Sequence, residues 1–177
     1  PVETFVIDEN NENEIRNLLI NQKNISFSEF IEIERILEYA CEEGDVELVR
    51  ILLCEEIEKD KMIYKINREN KTASLFKILS KADELTIPRS IQHDNQEYII
   101  TSITGDLEDR GKVKSIQFEQ GSEIQVFYAS SFTSSSIETL YIPEHLTEFR
   151  KGWCRFTRNL TKIEVSPLNQ NFAFIDN

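Results

Sequence analysis

The side chains best suited to nucleophilic, acid–base or metal chemistry are two histidines, His93 and His145, and three cysteines, Cys41, Cys54 and Cys154. A zinc site needs such ligands at short, paired spacings, and these five stand apart. No Cys-x-x-Cys, His-Glu-x-x-His, Gly-x-Ser-x-Gly or glycine-rich phosphate loop occurs. An odd, scattered set of cysteines is no disulfide framework and predicts free, buried thiols. Asp8-Glu9-Asn10-Asn11-Glu12-Asn13 offers oxygen ligands like the start of a calcium loop. Such a loop needs glycine at its sixth position and a bidentate glutamate at its twelfth, where this chain has Asn13 and Leu19. A solvated acidic helix start is the better reading. The triplets beginning at Asn24, Asn70 and Asn159 have the Asn-x-Ser/Thr form, which matters only in a secreted protein. The sequence therefore assigns no catalytic, cofactor-binding or metal-ligating residue, and the expected class is a non-enzyme without a cofactor.

One cluster runs against its surroundings. Arg150-Lys151-Gly152-Trp153-Cys154-Arg155-Phe156-Thr157-Arg158 carries four cations and two aromatics. One reading is a contact patch, formed by Arg150, Lys151, Arg155 and Arg158, for an acidic partner such as the acidic helices of another copy or of the same chain. The other is a connecting arm with its aromatics buried and its charges outward. Nucleic acid is not an expected partner, because it calls for a longer basic stripe and repels a chain of net charge −12.

These side chains must be held by elements, and charge shows how the elements divide. Residues 1–60 hold 17 Asp/Glu against 5 Lys/Arg, and residues 61–177 hold 15 against 15. The whole excess of −12 lies in the first third, which predicts two structural units with a boundary near residue 60. In the first unit the apolar period is helical. Ile15, Leu18 and Leu19 are followed by Ser26-Phe27-Ser28-Glu29, a capping-box pattern. Phe30, Ile33, Ile36, Leu37, Ala40 and Cys41 then share one helical face, Gly44 stops that helix and Asp45 can cap the next. Val46, Leu48, Val49, Leu52 and Leu53 mark the second face. No apolar run reaches the roughly 18 residues that cross a membrane, and no basic-then-apolar start resembles a secretory signal.

After Asp60 the pattern changes to strands. Residues 62–67 and 72–78 predict a hairpin turning at Arg68-Glu69-Asn70-Lys71. Then one apolar phrase recurs: Val113-x-x-Ile116-x-Phe118, Ile137-x-x-Leu140-x-Ile142 and Leu160-x-x-Ile163-x-Val165. The copies are 24 and 23 residues apart, and Ala82-x-x-Leu85-x-Ile87 precedes them by 31. The excess in that first interval fits an inserted hairpin tip at residues 92–98. Secondary anchors recur as well: Ile124 with Phe127, then Leu146 with Phe149. Such a period predicts short strands stacked in parallel, their apolar side chains forming a buried ladder. Phe132, Trp153 and Phe156 are expected to fill the core of the return arms.

These phrases resemble leucine-rich repeats, although that family's common form has Asn or Cys where this chain has Gly121, His145 and Leu168. Leu85-Thr86-Ile87-Pro88-Arg89-Ser90-Ile91 and Leu140-Tyr141-Ile142-Pro143-Glu144-His145-Leu146 are similar to the BspA-like, Treponema-type form. Gly152-Trp153-Cys154 followed by Leu160-Thr161-Lys162-Ile163 looks like the versions in trichomonad protist surface antigens. The resemblance covers residues 61–177. It implies a leucine-rich-repeat solenoid with a binding or adhesion role, and it implies no catalytic residue. Residues 36–53 resemble an ankyrin helix pair, with Tyr39-Ala40-Cys41 in its first helix and Gly44-Asp45 at its turn. The stop at Phe172–Asn177, within a repeat and without a polar cap, predicts a longer natural chain or a partner over that end.

The expected architecture is α+β: an acidic, ankyrin-like helical unit at 1–60, then a leucine-rich-repeat solenoid with an N-terminal hairpin at 61–177. Alternation along each strand turns Ser115, Gln117, Thr139, Tyr141, Lys162 and Glu164 outward as the expected partner-binding face. The expected function is protein–protein recognition, as a surface antigen or adhesin or, alternatively, as an intracellular adaptor. Expected partners are proteins, including a second copy, with no membrane insertion by this segment. The resemblance points to the cell surface, whereas the free cysteines and lack of a signal point to the cytoplasm.

Overall fold

The computed structural model describes residue 17 and residues 27–105, 113–133 and 135–173. The acidic run at 8–13, the apolar positions 15, 18 and 19, the capping box begun by Ser26 and the last four residues lie outside these. The chain divides into two compact units, Pro1–Cys54 and Glu55–Asn177.

In the first unit, helix α1 spans Phe27–Glu43 and α2 spans Val46–Leu53. Gly44 adopts φ 66°, the left-handed conformation that ends helices at little cost for glycine. The amide of Asp45 then reaches back to the Ala40 carbonyl at 2.8 Å. Asp45 caps α2 through its side chain, which accepts from the Leu48 amide at 3.1 Å. Ile33, Ile36, Leu37 and Ala40 of α1 and Leu48, Val49 and Leu52 of α2 are buried. The helical spacing read from the sequence thus yields a helix pair with two apolar faces turned inward.

The second unit opens with three antiparallel strands, β1 (Glu55–Lys59), β2 (Met62–Asn67) and β3 (Thr72–Ile78). Strand β1 precedes the charge boundary near residue 60. Its sequence, Glu-Glu-Ile-Glu-Lys, has one apolar position, Ile57, so it carries little strand signal of its own. There follow β4 (Glu84–Ile87), β5 (Ser90–His93), β6 (Gln96–Ile103), β7 (Ser115–Phe118), β8 (Val126–Phe127), β9 (Thr139–Ile142), β10 (Glu148–Phe149) and β11 (Lys162–Val165). Asp94 and Asn95 turn the β5–β6 hairpin with φ 48° and 60°, as the inserted tip predicts.

The repeated phrases become a four-stranded sheet in the order β11-β9-β7-β4. All its pairings are parallel, and Leu85, Ile116, Leu140 and Ile163 stand opposite one another across it. A second sheet carries the secondary anchors. It runs β1-β2-β3-β6-β8-β10 with β5 on the side of β6, and from β3 to β10 its pairings along that path are parallel. There Leu75, Ile103, Phe127 and Phe149 are in register. The two ladders enclose one core in which Ile116, Ile124 and Phe127 have no exposed surface. This unit is a β-solenoid: each coil contributes a rung to each sheet, and the coils bury one another's apolar side chains.

Aromatics fill the widest part of that core. The Phe127 ring lies 5.1 Å from Phe132, 5.6 Å from Phe149, and 6.0 Å from both Phe118 and Trp153. Trp153 also packs 4.6 Å from Phe149. Phe156 departs from the expected core role: it is 64% exposed, at φ 63°, where a bulky side chain is strained. Several buried hydroxyls are satisfied within the coils. Ser131 donates to the Ile103 or Tyr128 carbonyl at 2.8 and 2.7 Å, and Ser74, Ser102 and Thr104 hydrogen-bond one another.

Candidate recognition site

Each strand of the four-stranded sheet alternates inward and outward side chains. On β9, Leu140 and Ile142 are 1% exposed, whereas Thr139 and Tyr141 are partly exposed. Register places Ser115, Thr139 and Lys162 in one row and Tyr141 beside Glu164, with Gln117 in the adjoining strand. The six outward residues chosen from sequence therefore share one sheet face. Strand β4 adds Glu84 opposite Ser115 and Thr86 opposite Gln117. The phrase anchored by Leu85 and Ile87 carried the signal for both, because the same alternation turns them outward. The face is mixed in charge, and Lys162 and Glu164 form an ion pair along β11.

The loops that leave β7, β9 and β11 enclose a cleft of about 310 Å³ beside this face. The first loop contributes Glu119, Gln120, Gly121 and Ser122, following Phe118 at the end of β7. Pro143 and Glu144 come from the second, and Ser166, Pro167 and Leu168 from the third. Gln117 and Tyr141 belong both to the cleft wall and to the outward face. The loops are tied together by side chains. His145 Nδ1 sits 2.8 Å from the Ser122 carbonyl, an acceptor only, so this nitrogen carries the proton. Asn169 donates through Nδ2 to the carbonyls of Pro143 and Leu146 at 2.7 and 3.1 Å. Its Oδ1 accepts from the Asn171 and Phe172 amides, both at 2.8 Å. A side-chain bond between successive loops is thus made by His145 and, one residue beyond Leu168, by Asn169. The cleft walls are held by the fold before any partner arrives.

The cationic segment divides between surface and core. Arg150 pairs with Glu148 at 3.0 Å and lies 5.8 Å above the Tyr128 ring. Lys151, Arg155 and Arg158 are exposed, while Trp153 is turned into the aromatic core. Cys154 is partly buried, and burial pushes its thiol pKa up, away from the reactive thiolate. None of the three cysteines forms a disulfide.

A second polar cluster, in the other sheet, joins the start of β1 to the β2–β3 and β5–β6 turns. Arg68 binds Glu55 through Nε and Nη2 at 2.7 and 3.1 Å and Asp94 through Nη2 at 2.9 Å. Its hydrogen bonds hold both carboxyls below their usual pKa range. His93 stands 3.4 Å from Asp94 and 3.7 Å from Glu55. Among the described residues, no group of three or more His, Cys, Asp or Glu is placed to hold a metal ion. No helix among them is long and apolar enough to cross a membrane.

No protein-family model matches the chain, and no curated protein matches it. Among solved structures, the pneumococcal vaccine antigen PcpA is similar over 66% of this chain and 39% of its own, at 14% identity and a TM-score of 0.45. A leucine-rich repeat protein from Bacteroides capillosus is similar over 63% of this chain and 65% of its own, at 16% identity and a TM-score of 0.41. A leucine-rich cell surface protein from Faecalibacterium prausnitzii is similar over 64% and 43%, at 13% identity and a TM-score of 0.36. The chain thus spans less than two thirds of the length of each.

Proposed function

We propose that the second unit is a non-catalytic protein-recognition scaffold, and that its partner binds the outward face of the four-stranded sheet. The observation that carries this reading is the register of that sheet. Four inward positions repeat as apolar anchors, Ile116 and Leu140 buried and Leu85 and Ile163 partly buried, while Ser115, Gln117, Thr139, Tyr141, Lys162 and Glu164 vary in the outward columns. A structural ladder needs only its inward residues to be alike. The outward residues differ in charge, size and aromaticity, as a surface that recognises one particular partner requires. A sheet held by its own ladder of hydrogen bonds lowers the ordering cost of binding.

The finer reading is a BspA-like surface antigen or adhesin, supported by the Ile-Pro-x-x-Ile/Leu phrases at 87–91 and 142–146. The first unit, on the same reading, is an ankyrin-like helix pair, supported by its turn at Gly44-Asp45 and its two inward apolar faces. Arg155 and Arg158, with Lys151, supply a secondary cationic contact. The test is affinity capture with intact chain and with a Tyr141→Ala, Lys162→Glu variant, followed by a direct binding assay on each protein captured. Binding lost in the variant supports the face; an identified partner bound equally by both overturns it. Labelling of intact cells that express the full-length protein tests the adhesin reading, which fails if no surface exposure is found.

A further inference from the structure

From the cleft beside the sheet face, we infer that the loops after β7, β9 and β11 form a socket for an arginine side chain of the protein partner. This deepens the recognition reading above and rests on it for the source of the guanidinium. Three observations converge. The first is size: about 310 Å³ suits one long side chain and lies at the low end of small-molecule sites. The second is the lining. Tyr141 offers aromatic surface, and Pro143, Pro167 and Leu168 extend the apolar wall. Leu168 is 68% exposed at the rim, positioned to cover the methylene stem of an entering side chain.

The third is charge. Glu144 has a side chain only 20% exposed, and the basic side-chain nitrogen within 4 Å of it is His145 Nδ1 at 3.7 Å. That nitrogen is already committed to the Ser122 carbonyl at 2.8 Å. No hydrogen-bond donor among the described residues reaches the Glu144 carboxylate. Glu119 spends one oxygen, Oε2, on the Arg89 amide at 2.7 Å. The Arg89 guanidinium is drawn instead to Glu123, at 3.2 Å, and Lys162 to Glu164. Arg89 and Lys162 are therefore matched elsewhere, and the cleft lining holds the Glu144 carboxylate together with Tyr141. A guanidinium satisfies both at once. It donates in a planar fork to a carboxylate and stacks on an aromatic ring, which an ammonium does less well.

The probe is N-acetyl-arginine methylamide, titrated into the isotopically labelled full chain and followed by amide chemical shifts. Saturable shifts confined to residues 117–122, 141–144 and 166–168 are expected. The neutral isostere, N-acetyl-citrulline methylamide, should bind at least about fivefold more weakly, as should arginine to Glu144→Gln, because each removes the charge-assisted bond. Tyr141→Leu, which keeps volume but loses the aromatic face, should also weaken binding. Equal binding of citrulline and arginine overturns the proposal, as does an unchanged Glu144→Gln or a response outside these loops. Because the probe needs no partner, its failure marks the socket as wrong while leaving the sheet-face reading to its own test. Conversely, saturable binding of the probe stands even if Tyr141→Ala, Lys162→Glu spares a captured partner.

Discussion

Replacement of Phe127 by alanine should be the most damaging single truncation in the β-solenoid. Phe127 has no exposed surface and touches four other aromatic rings, at 5.1 to 6.0 Å, two from its own coil and two from the next. Truncation to alanine removes the transfer free energy of a fully buried ring and leaves a cavity that rings fixed in neighbouring coils cannot readily fill. The expected loss is about 3–5 kcal/mol. With a urea dependence of about 2 kcal/mol per molar for a unit of this size, the midpoint should fall by roughly 1.5–2.5 M. The assay is built in, because Trp153 is the one tryptophan in the sequence and lies 6.0 Å from Phe127. Its fluorescence reports unfolding of this unit. Phe156→Ala is the control: an equally large deletion at a 64% exposed side chain. It should change stability by no more than about 0.5 kcal/mol. A Phe127→Ala midpoint no lower than that of Phe156→Ala would refute the ladder packing.

Three further outcomes are expected. Gly105→Ala should destabilise the fold by about 3 kcal/mol or more in the same urea assay, since an added Cβ would lie 1.6 Å from the Phe76 carbonyl oxygen. Asn169→Ala should lower thermal stability by about 1–2 kcal/mol, because the Pro143 and Leu146 carbonyls each lose a donor. The third concerns pH. Arg68 lowers the pKa of Glu55 and Asp94 from their usual 4.5 and 3.8. Their contribution is therefore fully present above those usual values and fades as pH falls through the lowered ones. Arg68→Gln should consequently be less stable than the parent near neutral pH, and the two should converge in acid. A gap that stays constant with pH would remove the electrostatic explanation.

Much of the solenoid was legible because its information is local and repeated. Val113, Ile137 and Leu160 set a period, and each Leu or Ile at the third step of a phrase fell into register with its neighbours. The helix pair was readable for a similar reason, with Gly44 and Asp45 punctuating two apolar faces. The second sheet was visible only as isolated anchors, since β8 and β10 are two residues long and carry almost no alternation. Strand β1 escaped because its stability comes from pairing with β2, not from its own composition. Trp153 gave a correct core signal, whereas the same signal at Phe156 failed: a left-handed backbone turns that ring out, and nothing in its neighbours' identities marks the turn. The cleft was hidden for a different reason. Glu119, Glu144 and Leu168 lie in loops of unlike sequence, and only the stacking of the coils makes them neighbours.

The most direct measurement places a photo-crosslinking amino acid at Gln117, on the outward sheet face, and in a second chain at Gln92, exposed on β5. Each is expressed in the protein's own cells and irradiated. If the face is the recognition surface, Gln117 yields one discrete protein adduct that Gln92 does not, and Lys162→Glu abolishes it. The same adduct from Gln92, or none from Gln117 while the partner still binds, would contradict the assignment.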